Sequence, residues 1–407
     1  MIALQPGKAN KSRQFPHTLH FLYNDNKQGW CFNLHIIKGK YNEAKVFTSE
    51  LEETARAQIH NLVNQPFVAG SKIRIMPDVH AGAGSTIGTT MTITDKAVPN
   101  LVGVDIGCGM LTTELTGLTE PDLDLPRLDR LIRARIPSGY EIRRQPHEFL
   151  KRTCLDDLRC RDGGRNDNRL KMDRARRSLG TLGGGNHFIE INRDQTGALY
   201  LVIHSGSRHL GLQVALHYQR LAARLQPKME RDLAYLEDEP LKDYLNDMKI
   251  MQDYAVQNRK AMAETIISGM DWQTGERFTT IHNYIDLDTM ILRKGAISAR
   301  AGEKVLIPLN MRDGSLLCVG KGNPDWNFSA PHGAGRIMSR NEAKRVLTLQ
   351  DFRDSMDGIY STSIRRDTID EAPMAYKSLD SIREYLYQTV EILHRLTPVY
   401  NFKASGD

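Results

Sequence analysis

No apolar run in the 407 residues approaches the ~20 needed for a membrane-spanning helix. The opening residues, MIALQPGKANKSRQF, lack the apolar stretch of a secretory signal, so a cytoplasmic protein is the expectation. Cysteine is scarce: Cys31, Cys108, Cys154, Cys160 and Cys318 are five scattered residues with no CxxC pair. That pattern excludes a disulfide framework, a zinc ribbon and a dithiol redox motif. Nothing in the composition is extreme. With 40% hydrophobic and 26% charged residues, collagen, coiled coil and long disorder are excluded for the body of the chain. A chain this long builds a core without disulfide or metal staples. The net charge of +6 permits a polyanionic partner without establishing one.

Hydrophobic spacing supplies the organisation. Short strands are expected within residues 17–49 (HTLHFLY, CFNLHIIKGK). A helix starts near Ser49-Glu50-Leu51-Glu52, with Leu51, Ala55, Ile59, Leu62 and Val63 at helical spacing. Ile73–Met76 reads as a strand running into Pro77-Asp78-Val79-His80. Blocks rich in glycine and β-branched residues recur at 71–110, 180–207 and 291–340, and predict short strands with tight turns. Between them, 118–150 and 211–267 read as helical, and 379–396 as one amphipathic helix. Residues 151–177 carry ten Lys and Arg against five Asp, with Gly163-Gly164 inside. They predict a basic, loop-like insertion, either a phosphate-backbone contact or a solvated face. No fixed-period repeat is present. The expected fold is α+β: one large domain with strand and glycine-turn blocks at its core and helical insertions.

Chemistry concentrates at the junctions of strands and glycine turns. Asp105 and Cys108 lie three apart in Val104-Asp105-Ile106-Gly107-Cys108-Gly109. His187 follows three glycines and Asn186, His204 ends an apolar strand, and His282 precedes Asn283. One Asp, one Cys and three His are the donor types of a transition-metal site, and a thiolate can bridge two ions. Donor softness alone favours zinc. His332 stands among small residues in Pro331-His332-Gly333-Ala334-Gly335-Arg336, where a bulky group can approach and Arg336 can meet phosphate.

These residues sit in longer strings: MPDVHAGAGSTIG (76–88), VGVDIGCGM (102–110), GTLGGGNHFIEI (180–191), IHSGSR (203–208), HNY (282–284), RKGAISARAG (293–302), HGAGRIMSR (332–340) and PMAYK (373–377). In this order they resemble the RtcB family of GTP-dependent RNA ligases, which join 3′-phosphate to 5′-hydroxyl RNA ends in tRNA splicing and RNA repair. The resemblance runs over 37–407, interrupted by the basic insert at 151–177 and the helical insert at 211–267. Residues 1–36 form an N-terminal extension outside it.

The resemblance implies an RtcB-like α+β fold and a GTP- and manganese-dependent RNA ligase. It implies one Mn²⁺ on Asp105, Cys108 and His187 and a second on Cys108, His204 and His282, with Cys108 bridging. His332 becomes the nucleophile that takes GMP. The implied GTP contacts are Asn186, His187, Phe188, Ile189, Glu190, His282, Asn283, Pro308, Leu309, Asn310, Met311, Ser315, His332, Gly333, Ala334, Gly335, Tyr376 and Lys403. Arg208, Lys294 and Arg300 are the expected contacts to RNA phosphates. The partners implied are GTP and RNA with 3′-phosphate or 2′,3′-cyclic phosphate and 5′-hydroxyl ends. A helper protein, used by some members, is left open, and a monomer with no membrane contact is expected.

The chain departs from the family at three points. Leu309-Asn310-Met311-Arg312 stands where Gly-Ser-Met-Gly is common, Pro331 replaces a more usual serine, and the chain continues past Lys403 to Asp407. Two other classes use parts of the same constellation. A metal-dependent phosphoesterase would use the five ligands without His332, and a non-ligating RNA- or nucleotide-binding protein would need no reactive histidine.

Overall fold

The structure, a computed structural model, describes residues 34–162 and 170–404. Two sheets carry it, the first mixed through its parallel β2–β3 pair and the second antiparallel throughout. The first contains β1 (His35–Lys38), β2 (Glu43–Val46), β3 (Ile73–His80), β4 (Ile87–Thr92), β9 (Asn283–Asp286) and β10 (Ile291–Lys294), in the order β1-β2-β3-β4-β10-β9. The second contains β5 (Gly109–Thr116), β6 (Phe188–Arg193), β7 (Leu199–Ser205), β8 (Gln273–Ile281), β12 (Lys304–Asn310), β13 (Gly314–Gly320) and β15 (Val390–Lys403). Its order is β12-β13-β15-β6-β7-β5-β8. A short pair, β11 (Ala296–Ser298) with β14 (Ser329–Pro331), links them.

The helices are α1 (Glu53–Val63), α2 (Leu125–Arg135), α3 (Met172–Ser178), α4 (Arg208–Leu225), α5 (Asp238–Met270), α6 (Arg340–Val346), α7 (Leu349–Ser355) and α8 (Asp380–Thr389). The first buries Ala55, Ile59, Leu62 and Val63, the stripe its spacing predicts. It begins at Glu53 without a side-chain cap. Residues 211–267 are mostly helical as expected, carried by α4 and α5 with a connection over 226–237 between them. The 33-residue α5 is the organising helix: Tyr244, Met248, Met251 and Tyr254 enter the largest core cluster, and Met262, Ala263, Ile266 and Ile267 enter a second. None of the described helices is long and apolar enough to cross a membrane.

Three expectations change. The helix foreseen over 379–396 stops at Thr389, and Val390 onward is strand. Val390, Ile392 and Leu396 suit a period of two as well as a helical one, and pairing with β13 and then β6 decides. Within 118–150, only α2 and the short turns Glu120–Asp122 and Glu148–Arg152 are helical; Pro137, Gly139 and Pro146 break the stretch after α2. The 151–177 insert is no mere solvated loop. Leu155, Leu158, Cys160, Leu170 and Ala175 are buried in the largest core, and the Asp247 carboxylate of α5 accepts the Arg159 and Cys160 amides at 2.8 and 2.9 Å. Several of its charges pair internally, Arg161 and Arg176 with Asp156 at 2.6 and 2.9 Å. Gly163 and Gly164 lie outside the described residues, as do the HTLHFLY stretch and nearly all of the 1–36 extension. Cys108, Cys154, Cys160 and Cys318 are free thiols.

Candidate active site

Sheet order puts the metal-type ligands at one edge. In β6-β7-β5-β8, Met110 and Phe188 are both register partners of His204, and Gly109 is opposite both Ser205 and Ile281. The residues just before β5 (Asp105, Cys108) and β6 (His187), late in β7 (His204) and just after β8 (His282) therefore converge. Two glycines let the segments close. A Cβ on Gly109 would stand 2.2 Å from the Thr280 carbonyl oxygen, and one on Gly206 would stand 2.1 Å from Asp105 Oδ1.

Cys108 Sγ lies 3.5 Å from His187 Nε2 and 3.3 Å from His204 Nε2. His204 Nε2 is 3.1 Å from His282 Nε2, and His187 Nε2 is 3.1 Å from Asp105 Oδ2. The donor atoms form two groups, Asp105–Cys108–His187 and Cys108–His204–His282, each within 4.8 Å. Ring orientation fits metal binding. The Nδ1 atoms of His187 and His204 face the carbonyl oxygens of Leu182 and Asn186 at 2.9 and 3.1 Å, so Nδ1–H donates there and each Nε2 lone pair faces its neighbours. Burial pushes His204 and His282 well below the usual imidazole pKa, with neighbouring histidines adding to it. Both are neutral ligands at pH 7. Burial and then the Asp105 carboxylate push the Cys108 thiol well up, so a metal entering here releases the thiol proton. Burial opposes ionisation of Asp105, but the adjacent His187, and then the charge of Arg208, outweigh it and hold its pKa at about 2. One shared thiol, three imidazoles and a carboxylate fit two ions.

His332 follows β14, its ring centroid 5.0 Å from that of His282. Its Nδ1 lies 2.6 Å from Oδ2 of Asp78, a fully buried carboxylate on β3. The His332 Nδ1–H donates to Asp78, leaving Nε2 as the free nucleophilic nitrogen. Sequence reasoning assigns Asp78 no role. Its signal is an acidic residue in a strand whose every other residue through Val79 is apolar except Arg74 and Pro77.

A cavity of about 320 Å³ opens over this pair and the His204–His282 side of the cluster. Asn186, Phe188, Glu190, Asn283, Pro308, Leu309, Asn310, Met311, Gly333, Ala334, Gly335, Tyr376 and Lys403 line it, as do Arg336, expected to meet phosphate, and His80, Arg340 and Glu371, which sequence reasoning left without a role. Burial pushes the Glu190 carboxyl up to about 7, against hydrogen bonds from Asn192 and Asn401 and the charge of Lys403. Glu371 is buried too, but the charges of Lys403 and Arg340 hold it down to about 2. Its carboxylate accepts Lys403 Nζ and Tyr376 Oη, both at 2.7 Å. The Leu309–Arg312 departure forms a closed turn: Asn310 Oδ1 accepts the amides of Arg312 and Asp313 at 3.0 and 2.9 Å.

Some expected contacts fall elsewhere. On β6 side chains alternate, so Phe188 and Glu190 face the cavity while Ile189 enters a core cluster. Ser315 is fully buried and does not line the cavity. Lys294 does not face RNA. It is 3% exposed, and Nζ donates to the carbonyls of Ala83, Ser85 and Asn100; burial lowers its pKa to about 8. Arg300 pairs with Asp286, with nearly half of its side chain still exposed. Arg208 begins α4 beside the Asp105 side of the cluster, donating to Thr181 Oγ1 and the Gly139 carbonyl at 3.2 and 3.3 Å.

Comparison with known proteins gives a consistent result. The family model described as "tRNA-splicing ligase RtcB" matches residues 58–404. The RNA-splicing ligase RtcB of Escherichia coli K12 is 34% identical over 407 residues, covering 90% of this chain and 98% of that protein. RNA-splicing ligase RtcB of Mycobacterium tuberculosis is 30% identical over 82% of this chain and 96% of its own length. The tRNA-splicing ligase RtcB of Pyrobaculum aerophilum is 28% identical over 77% of this chain and 83% of its own.

Proposed function

The chain belongs to the RtcB family and is an RNA ligase; from that premise we propose that it joins 3′-phosphate or 2′,3′-cyclic phosphate RNA ends to 5′-hydroxyl ends in RNA repair or tRNA splicing, in the cytoplasm. In this reading GTP is the co-substrate, two manganese ions occupy the Cys108-centred cluster and His332 carries GMP. The observation that carries the reading is His332 Nδ1, held 2.6 Å from buried Asp78, on the cavity that also meets His204 and His282. A phosphoesterase using the same ions needs neither His332 nor Asp78.

Asp105, Cys108, His187, His204 and His282 would hold the ions. When bound, the ions neutralise phosphate charge and orient the leaving group. The rest of the chemistry belongs to this chain's own side chains. Asp78 keeps the proton on His332 Nδ1, so Nε2 attacks the α-phosphorus of GTP. The N–P bond forms, the bond to the bridging oxygen breaks and pyrophosphate leaves. A 2′,3′-cyclic end is first opened by water to a 3′-phosphate. An oxygen of the 3′-phosphate then attacks the GMP phosphorus, and the N–P bond breaks to restore the imidazole. Finally the 5′-hydroxyl attacks the activated 3′-phosphorus, loses its proton, and GMP departs. Gly333, Ala334 and Gly335 let the nucleotide approach the backbone closely. Glu190, Tyr376 and Lys403 line the base end, and Arg208 beside the cluster is the remaining candidate for an RNA phosphate.

The test is to incubate the full chain with Mn²⁺ and α-labelled GTP and to assay sealing of RNA with the stated ends. Label on denatured protein that is stable to alkali and labile to acid, as a phosphoramidate is, supports the reading. Metal-loaded protein that seals RNA but retains no label sinks the histidine route.

Glu190 supplies a pH-dependent check. Guanine offers N1–H and N2–H donors, which an ionised carboxylate accepts best. Bound guanine therefore favours the ionised form of a group titrating near 7. Affinity for guanosine, measured calorimetrically with metal-free protein, is expected to rise about tenfold per pH unit below about 7 and then level off. Glu190→Gln is expected to flatten the curve. A flat curve in the parent removes Glu190 as the base reader.

A further inference from the structure

One turn of α5 reaches every segment that carries a metal-type ligand. Asn258 and Arg259 are both fully buried. Arg259 Nη1 donates to the carbonyl oxygens of Gly107 and Ser205, each at 2.8 Å, and Nη2 donates to Thr279 Oγ1 at 3.2 Å. Gly107 immediately precedes Cys108, Ser205 immediately follows His204, and Thr279 lies on β8 just ahead of His282. Asn258 completes the set. Its Oδ1 accepts the amides of Gly180 and Thr181 at 2.7 and 3.1 Å, in the loop leading to His187. Its Nδ2 faces Ser205 Oγ and the Gly206 carbonyl, both at 3.1 Å.

Arg259 is an unusual group to find here. Among the described residues no carboxylate lies within ion-pair distance of it, and its Nε has no partner. Its charge partners, Asp105 and Cys108, act on it only from beyond contact distance; a buried guanidinium with no direct ion pair is costly, and an apolar side chain of similar volume would avoid that cost. What an apolar side chain cannot do is hold two carbonyl oxygens at a fixed spacing. The two N–H groups of Nη1, fixed in the guanidinium plane, do so while Nη2 reaches Thr279; a lysine at this position is shorter and has no second nitrogen for Thr279.

We propose that Arg259 is a positioning residue of the metal centre. By clamping the Gly107 and Ser205 carbonyls, it fixes the separation of Cys108 from His204. It thereby fixes whether one thiolate spans two ions. The inference rests on the two-ion reading above and adds to it a determinant of how closely the ions sit.

The test uses the full chain loaded with Mn²⁺, comparing the parent with Arg259→Lys and Arg259→Gln. Fold is followed by circular dichroism and thermal melting, Mn²⁺ affinity by equilibrium binding, and ion pairing by electron paramagnetic resonance. Folded variants are expected to bind Mn²⁺ about 10- to 100-fold more weakly, the range for lost outer partners of metal ligands. They are also expected to replace the spin-coupled spectrum of a pair with that of isolated ions. Folded variants that keep parental affinity and coupling overturn the proposal. If both buried variants fail to fold, Thr279→Val, on an exposed strand position, removes the acceptor of Nη2 together with the Thr279 Oγ1 hydrogen bond to the Met110 carbonyl, and Thr279→Ser, which keeps the hydroxyl, is its control. Thr279→Val is expected to weaken binding about threefold and broaden the coupled signal, and no change there overturns the proposal equally. A parent that takes up no coupled pair removes the two-ion reading itself, and the proposal with it.

Discussion

His332→Ala is expected to abolish GMP retention on the protein, and Asp78→Asn to slow it by about 10³-fold or more while GTP affinity stays within about threefold. Alanine leaves no nitrogen to attack phosphorus, so only the first effect needs no further argument. The asparagine effect follows from local geometry. Asp78 is fully buried, with Oδ2 on His332 Nδ1 and Oδ1 without a hydrogen-bond partner. An asparagine amide has two placements. With its NH₂ toward His332 it donates where it should accept, which drives the ring proton onto Nε2 and removes the nucleophile. With its NH₂ at the Oδ1 position, a buried donor is left without an acceptor, at a cost of about 1–3 kcal/mol. The first placement blocks attack, the second keeps Nε2 free but loses the carboxylate charge that stabilises the imidazolium formed on attack, and neither touches the base end of the cavity. Time courses of label retention at saturating GTP, beside GTP binding by calorimetry, check both variants. An Asp78→Asn protein labelling at a third of the parental rate would remove Asp78 as the orienting group.

Cys108→Ser is expected to lose both ions together, weakening each site by more than about 100-fold and taking RNA sealing down with it. Cys108 Sγ belongs to both ligand groups, whereas every other ligand belongs to one. A serine hydroxyl does not ionise under these conditions and is a poor donor to a transition ion. Even outer partners of metal ligands are worth 10- to 100-fold, so a shared inner ligand is worth more. Metal content after dialysis, read by elemental analysis, distinguishes the outcomes. Loss of one ion with retention of the other would overturn the shared-thiolate arrangement. Cys154→Ser, at an exposed thiol, is the matched control and is expected to keep both ions.

The candidate donor cluster and His332 were visible in the sequence because each lies in a short string whose neighbours, mostly glycines, serve a local turn. Residues such as Asp105 and Cys108 are close in sequence, so their chemistry shows without a fold. The same is true of the α+β class, of α1 and of the two long helices, where local spacing and tertiary packing agree. The strand over Val390–Lys403 was not legible. Its apolar positions satisfy two periods, and only its neighbours β13 and β6 choose between them. Lys294 misled for a related reason. A lysine beside an arginine and a glycine reads as surface, and only the packed loop places three carbonyl oxygens around its ammonium. The partners of the chemistry were the least visible. Asp78 meets His332 across 254 residues, and Arg259 meets Gly107 across 152. No local pattern encodes such a contact. Sequence alone brought out the Asp, Cys and His set and His332 as candidates. The tertiary structure decided which proton His332 keeps, which carbonyls hold the cluster and which face of β6 lines the cavity. Those depend on chain segments that only sheet order and one buried helix bring together.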